Sequence, residues 1–516
     1  MGRLRERTLQ ELGIGVFDVL VIGGGIVGGR VAFDAARAGL RVALVDGGDF
    51  GGATSGASAR LVHGGLRYLG TGDFRLVRTA LRERDALASR VAPHLVRPLP
   101  FVLAAAGGRR SKCAAGLLVY AALDGFRRPL PRFVTPEEAT FLVPPLCVGG
   151  QASHAVYYEA GTNDSRLALA TVTAAARSGA VVANYLRAVD LDLAPGKISR
   201  VVLQGREGEV AVRCKAVVNA TGPWLDLIRK MEDSACEPIA RLSKGIHVVL
   251  RPDEQWRAAV AVSTDDGQHL YAVPCEDRIL LGTTEQEYDG DPAGVAAEPE
   301  DVSYLLQRAK QFLRPEMLRE ARVVSAYAGL RVLPMGEGAT LHASRDHLSS
   351  VGPGGMVSVA GGKLTTHRRI ALDALRHLPD RVRPRRLSLS DAPLPGAYPV
   401  RSRGPDSRLD GSTVDHLQRL YGSETGRLLG YFKVNGNALE EIAPGAPDIW
   451  AQVYHAIREE WALTAEDVIY RRTTLGLRGF DTPEIHQMIS AVLESWAGDQ
   501  TRRQDLSSSF SRQLSD

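Results

Sequence analysis

The chain has little of what marks a secreted, metal-clustered or membrane-spanning protein. Its five cysteines, Cys113, Cys147, Cys214, Cys236 and Cys275, stand apart with no C-x-x-C pair. That spacing indicates neither a metal cluster nor a disulfide framework, and fits a reducing cytoplasm. No apolar run approaches the roughly 20 residues that a bilayer-spanning helix needs. Any membrane contact would then be peripheral, on the inner face of the cytoplasmic membrane. Met1 to Val16 lacks the apolar core of a signal peptide and reads as a frayed polar extension. The net charge is only +4 in 516 residues, without a basic tract that would suggest nucleic acid. There is no fixed-period repeat. What is present is an ordinary globular composition, 44% hydrophobic and 24% charged, in a chain too long for one core.

Within that unremarkable composition one stretch stands out. FDVLVIGGGIVGGRVAFDAARAGLRVALVD, from Phe17, sets Gly23, Gly25 and Gly28 in G-x-G-x-x-G spacing between an apolar strand and an alanine-rich helix. Gly23 permits the tight turn, Gly25 admits a pyrophosphate to the backbone, and Gly28 lets helix and strand pack closely. The helix N-terminus adds free N–H groups and positive dipole. Asp46 closes the second strand, where a carboxylate accepts hydrogen bonds from an adenosine ribose. The motif alone leaves NAD and FAD open.

Two further strand–glycine–helix junctions follow at a distance. AVVNATGPWLD (Ala216 to Asp226) delivers Thr221 and Gly222 at a strand's end, and Met356 to Ala360 runs into Gly361, Gly362, Lys363, Leu364 and Thr365. One nucleotide unit assembled from discontinuous segments favours FAD over NAD, because a flavin must also be seated against a second domain. The expected class is α/β: an FAD-binding Rossmann-like domain of the two-dinucleotide-binding type, an inserted antiparallel-sheet substrate domain and a C-terminal helical domain. The boundaries read as 17–92, 150–233 and 322–380 for the first, 93–149 and 234–321 for the second, and 400–500 for the third. Phe74 to Arg90 reads as an amphipathic helix.

These motifs, taken together, resemble the FAD-dependent glycerol-3-phosphate dehydrogenases and the related glycerophosphate oxidases, over nearly the whole chain. ATSGASARLVHGGLRYL, SKGIHVVL, LLGTTE, YAGLRVLP, ASRDH, VAGGKLTTHR and EEWALTAEDVIYRRTTLGL fall in the family's order. The chain departs from the usual pattern at Gly56 and Ala59-Arg60, at Asp46, at Glu285 and at Val332. The resemblance implies oxidation of the secondary alcohol of sn-glycerol 3-phosphate to dihydroxyacetone phosphate, with hydride passing to N5 of FAD and electrons going on to a quinone or to oxygen. It implies a small phosphorylated alcohol as partner and no metal, and leaves a homodimer open.

That chemistry needs a base for the hydroxyl proton and fixed cations for the anionic handle. Arg67, Arg331 and Lys363 stand in glycine-flanked, family-matching contexts, where a long cation can enter a cavity. Arg345 is a weaker fourth candidate and Tyr68 a wall residue. His63 and His247 are the candidate bases, with the choice open. A crowd of arginines lowers a histidine's pKa and keeps it neutral. Thr54, Ser55, Ser58, His63 and Gly64 form the expected flavin loop. Two other readings stand beside this one. One is a tailoring flavin oxidase or dehydrogenase for another phosphorylated or carboxylated hydroxyl compound, and the other a flavin-binding protein without catalysis.

Overall fold

In the computed structural model, residues 2–70, 72–105, 110–148, 153–194, 196–263, 269–335, 347–398 and 408–498 are described. The polar N-terminal stretch is not frayed. It forms α1 (Gly2–Ile14), with Leu12 fully buried in a cluster that includes Phe17 and Leu20. Arg5 fastens it by donating to the Asn184 carbonyl at 3.0 Å. Leu9 and Leu12, one turn apart, supply the apolar face that composition alone concealed.

The dinucleotide unit follows. β1 (Val16–Ile22) ends in the glycine turn, where Gly23 takes a φ of 105° that only glycine holds without strain. Then come α2 (Ile26–Arg37), β2 (Val42–Val45) and the two-residue β3 (Leu61–Val62). α3 (Phe74–Ala86) starts at Asp73, which accepts the Leu76 N–H at 3.0 Å. β4 (Val96–Ala105), α4 (Arg110–Leu123), β5 (Arg132–Val134) and α5 (Pro136–Leu142) lead to β6 (Ser153–Thr162). α6 (Asp164–Arg177), capped by Asn163, and β7 (Val181–Ala183) return the chain to the first sheet.

β8 (Leu186–Ala194), β9 (Lys197–Gly205) and β10 (Gly208–Asn219) form the expected meander. β10 is long enough to leave it and run parallel to β1, with Ile22 opposite Asn219. After α7 (Leu225–Glu232) come β11 (Ala240–Leu250), β12 (Ala259–Ser263), β13 (His269–Cys275), β14 (Arg278–Gly282) and β15 (Gln286–Tyr288). α8 (Pro299–Ala309), β16 (Val323–Pro334), β17 (His347–Val351), β18 (Val357–Gly361) and α9 (His367–Arg376) complete the α/β part. Beyond it the described chain is helical, from α10 (Gly411–Tyr421) to the last helix, Pro483–Gly498.

Two sheets result. The first has the order β17-β18-β10-β1-β2-β7, with β18, β10, β1, β2 and β7 parallel and the β8–β9 hairpin attached to β10. Helices α2, α6 and α9 cover one face with an alanine- and valine-rich core. The second has ten strands in the order β15-β11-β14-β13-β12-β4-β6-β3, with β16 on β11 and β5 on β6. β6 and β16, which the expected boundaries grouped with the nucleotide unit, are laddered into this second sheet against β4 and β11. A strand's sequence shows that it is extended, not which sheet it joins.

The helical C-terminal region has its own core and is fastened to the first sheet by buried charge. Asp49, 6% exposed, accepts from Arg471 and from both terminal nitrogens of the fully buried Arg472, and Asn184 donates to it at 3.1 Å. Arg166 pairs with Glu460 at 2.7 Å nearby. Removing one member of such a set strands the others in low dielectric. Asp49→Ala is therefore expected to cost about 3–5 kcal/mol of unfolding free energy in urea titration; a loss below about 1 kcal/mol would mean that the cluster is solvated and holds nothing.

Candidate active site

Where the carboxyl ends of β1, β2, β10 and β18 meet β11, β13, β14 and β16, the protein encloses a cavity of about 980 Å³. Crevices at the carboxyl ends of parallel strands are where open α/β sheets hold ligands. One end is the glycine turn. Gly23, Gly25, Asp46, Thr221 and Gly222 line it, and Asp46 accepts the N–H groups of Gly24 at 2.6 Å and Gly48 at 2.8 Å. Withdrawal from water pushes the Asp46 carboxyl up to about 6, against those two hydrogen bonds. Gly361, Gly362, Leu364 and Thr365 line the wall beside β18. Gly28 lies behind the wall. A Cβ there would sit 1.8 Å from the Gly23 carbonyl oxygen, so its lack of a side chain sets the helix–strand spacing.

The loop from Thr54 is more occupied with the protein than its hydroxyls suggested. Thr54 Oγ1 donates to the Leu330 carbonyl at 2.7 Å, and Ser58 Oγ donates to Asp164 at 2.7 Å. Ser55 Oγ accepts the Ile26 N–H at 2.9 Å, at the start of α2. All three border the cavity, yet the protons of Thr54 and Ser58 are spent on shaping the loop. Gly64 is off the wall, packed towards Leu81 and Tyr120, with its N–H on Glu159 at 3.1 Å. His63 is on the wall, its backbone N–H on Thr365 Oγ1 at 3.1 Å.

The far end gathers the charged candidates. Arg67, Tyr68, Arg331 and Lys363 all border it, with His247. Lys363 Nζ lies 3.7 Å from the centre of the Tyr68 ring, whose hydroxyl accepts from Arg67 at 2.9 Å. One aromatic ring thus holds two cations by its face and its polar tip. Arg331 donates to Thr283 Oγ1 at 2.7 Å and to the Thr284 carbonyl at 3.0 Å. Arg345 lies outside the described residues.

Strand register explains this convergence. In the antiparallel β11–β16 pair, His247 faces Tyr327, Gly245 faces Gly329, and Ser243 faces Arg331. A Cβ on Gly245 would lie 2.4 Å from Arg331 Nη2, so the glycine makes room for the guanidinium. Gly282, opposite His247 on β14, does the same for the imidazole: a Cβ there would lie 2.4 Å from Cδ2.

His247 is buried, and neither ring nitrogen has a hydrogen-bond partner among the described residues. Its ring stacks on Tyr327 at 5.1 Å between centres, and Tyr327 donates to the Ser58 carbonyl at 2.8 Å. Burial first, then the Arg331 and Arg60 guanidiniums, hold its pKa down at about 3. Thr283, Tyr271 and His269 also border the cavity and Tyr327 packs on His247, and no sequence motif assigns a role to any of the four. Period-two alternation would have put Tyr327, Gly329 and Arg331 on one face; nothing local would have found the others.

The chain is similar to known proteins along nearly its whole length. Residues 18–368 match the FAD dependent oxidoreductase family profile, and residues 389–500 match the C-terminal domain of alpha-glycerophosphate oxidase. Glycerol-3-phosphate dehydrogenase 2 of Mycobacterium tuberculosis is 34% identical, covering 96% of this chain and 88% of its own. Glycerol-3-phosphate dehydrogenase of Pseudomonas aeruginosa is 35% identical, covering 93% and 95%. Among solved structures, glycerol-3-phosphate dehydrogenase from Bacillus halodurans complexed with FAD has a TM-score of 0.77 at 26% identity, covering 99% of this chain and 97% of that one.

The electrostatics can be read directly by NMR of histidine-labelled protein without substrate. The His247 ring should remain neutral at pH 5, and Arg331→Ala should move its midpoint upward because one of the two depressing charges is gone. A wild-type midpoint at or above about 6.5 would mean that the ring is solvated rather than buried.

Proposed function

The chain belongs to the FAD dependent oxidoreductase family, with the glycerol-3-phosphate dehydrogenases, and we propose that it oxidises sn-glycerol 3-phosphate to dihydroxyacetone phosphate with FAD as its cofactor. The observation that carries this reading is that one cavity joins the dinucleotide turn to a wall where Arg67 and Lys363 gather on Tyr68 and where Arg331 acts on the buried His247. The first sheet then serves as the cofactor domain and the second as the substrate domain. The residues fit the cofactor: the turn presents backbone at Gly23 and Gly25, Asp46 stands where a ribose would bind, and the cavity is near the upper size of small-molecule sites.

Bound FAD supplies the acceptor for the hydride of the carbinol carbon. The protein's part is binding, orientation and proton transfer. The guanidiniums of Arg67 and Arg331 match two oxygens of a phosphate, and Lys363 adds a compact charge. His247 takes the hydroxyl proton. Its low pKa keeps the ring neutral, hence able to accept, throughout the physiological range. A phosphate dianion beside Arg331 cancels part of the field that depresses the ring, so substrate binding itself raises the basicity of the group that must act on it. His63, tied to Thr365, orients the cofactor side of the cavity.

Electrons leave to a quinone in a membrane. Supporting this acceptor is an apolar face on α4, where Ala115, Leu118, Val119 and Ala122 are exposed at helical spacing, continued by Phe126 and Leu130. Exposed Arg110 and Lys112 stand on the same helix and Arg127, paired with Asp85, follows it, and the neighbouring α3 adds Phe74, Arg75, Arg78 and Arg82. Apolar surface ringed by basic residues suits the interface of an anionic bilayer. No helix among the described residues is long and apolar enough to cross a membrane.

Two measurements follow from these assignments. With a dye acceptor, Arg331→Ala and Lys363→Ala should each lower kcat/KM for glycerol 3-phosphate by roughly ten- to a hundredfold, as loss of a hydrogen bond to a charged group implies. Equal loss with unphosphorylated glycerol would remove the phosphate from the account. Leu118→Glu with Val119→Glu should abolish cosedimentation with anionic vesicles and leave dye-linked turnover intact; undiminished sedimentation would place the membrane face elsewhere.

A further inference from the structure

The wall of the cofactor cavity is not supplied by the two sheets alone. Arg471, from the helical C-terminal region, borders it at the end marked by Asp46, Gly47, Gly48 and Tyr185. We propose that Arg471 is a cofactor-binding residue whose guanidinium contacts the adenosine half of FAD, so that the C-terminal region completes the dinucleotide site. This rests on the reading that FAD is the cofactor.

Two neighbouring arginines, Arg471 and Arg472, differ in what they touch. Val468–Arg472 forms a π-helical turn, a wide geometry that recurs at functional positions, and it brings consecutive side chains to one carboxylate. Arg472 is fully buried, grips both oxygens of Asp49, and donates to the Glu460 carbonyl at 2.6 Å. That contact fastens the C-terminal region to the loop after β2 through both carboxylate oxygens, beside the edge-on packing of Phe50 on Trp461. Arg471 approaches Asp49 through Nε only, gives Nη2 to Asp467 at 2.6 Å, and reaches the cavity wall. Its Nη1 makes no hydrogen bond to the described residues. Docking explains two of its nitrogens and leaves the third, on a side chain at the cavity.

The surroundings fit the same ligand. Asp467 also accepts the Tyr185 hydroxyl at 2.6 Å, so one carboxylate fixes two wall residues, one from each region. Tyr185 holds a φ of 53°, a conformation that costs a tyrosine energy and that the surrounding contacts must maintain. Arg471 also opposes the upward pull of burial on the Asp46 carboxyl, favouring the ionised form that would accept ribose hydroxyls. A planar guanidinium held on two edges is preorganised to stack on or donate to a purine.

The test uses full-length apoprotein, wild type and Arg471→Met, titrated with FAD by flavin fluorescence and with ADP by thermal shift. The substitution should weaken FAD by about tenfold or more, the scale of a lost charged hydrogen bond, and remove most of the shift caused by ADP. The apoprotein's own melting temperature should fall by clearly less than in Asp49→Ala, because Arg472 still holds both oxygens of Asp49 and Tyr185 still donates to Asp467. Arg471→Lys, which keeps the charge and loses the fork, should recover only part of the affinity. Unchanged FAD and ADP binding in Arg471→Met would overturn the proposal. So would a fall in apoprotein melting that matches Asp49→Ala, since Arg471 would then act through docking. Wild-type apoprotein that binds no FAD would instead overturn the cofactor reading on which the proposal stands.

Discussion

The antiparallel register between β11 and β16 is the constraint on which the site depends. It sets His247 against Tyr327 and Arg331 against Ser243, with a facing pair of glycines, Gly245 and Gly329, between them. Side chains alternate with period two, so a slip of one residue would turn the imidazole and the guanidinium to the other face of the sheet. The glycines are spatial requirements as much as conformational ones. Gly245 leaves the volume into which Arg331 folds, and a Cβ on Gly329 would lie 2.3 Å from the Ala57 carbonyl oxygen. That second approach brings the loop between β2 and β3 against the second sheet. The same pairing therefore shapes the charged pocket and joins the two sheets around the cofactor cavity.

Electrostatics gives the two ends of the cavity opposite characters. At one end an acid, Asp46, is held by backbone N–H groups and pushed up by burial towards neutrality. At the other, His247 is kept neutral by burial and by two guanidiniums. An isolated charge is costly in such a place, and a ligand of complementary charge relieves the cost. The cavity is thus prepared for a molecule with polar hydroxyls at one end and for an anion at the other. A flavin dinucleotide with a phosphorylated alcohol before it meets both demands.

Much of this was legible in the sequence, and the parts that were not share a cause. Gly23, Gly25 and Asp46 announce themselves because a tight turn, a close approach and a strand-end acid need particular residues at fixed local spacing. Arg67, Arg331 and Lys363 were readable from their glycine neighbours and the family's motifs. Hidden were the features that depend on which distant strands meet. β6 and β16 look like any strands and join the second sheet; Tyr327 acquires meaning only opposite His247; Thr54 and Ser58 looked available for a cofactor until Leu330 and Asp164 were seen to take their protons. α1 was misread because two leucines in a polar stretch form a buried face only when a sheet lies beneath them. Arg471 is separated from Asp49 by most of the chain, and no spacing rule spans that distance.

In the proposed function this cavity oxidises a phosphorylated secondary alcohol, with the alcohol's carbon-bound hydrogen leaving to the flavin and its hydroxyl proton to His247. The most direct measurement is anaerobic stopped-flow mixing of the FAD-loaded protein with sn-glycerol 3-phosphate, unlabelled and deuterated at C2. The account predicts complete bleaching of the flavin, slowed by deuterium in the wild type and slowed further in His247→Gln. A flavin that stays oxidised on mixing, or that bleaches as fast in His247→Gln as in the wild type, would contradict it.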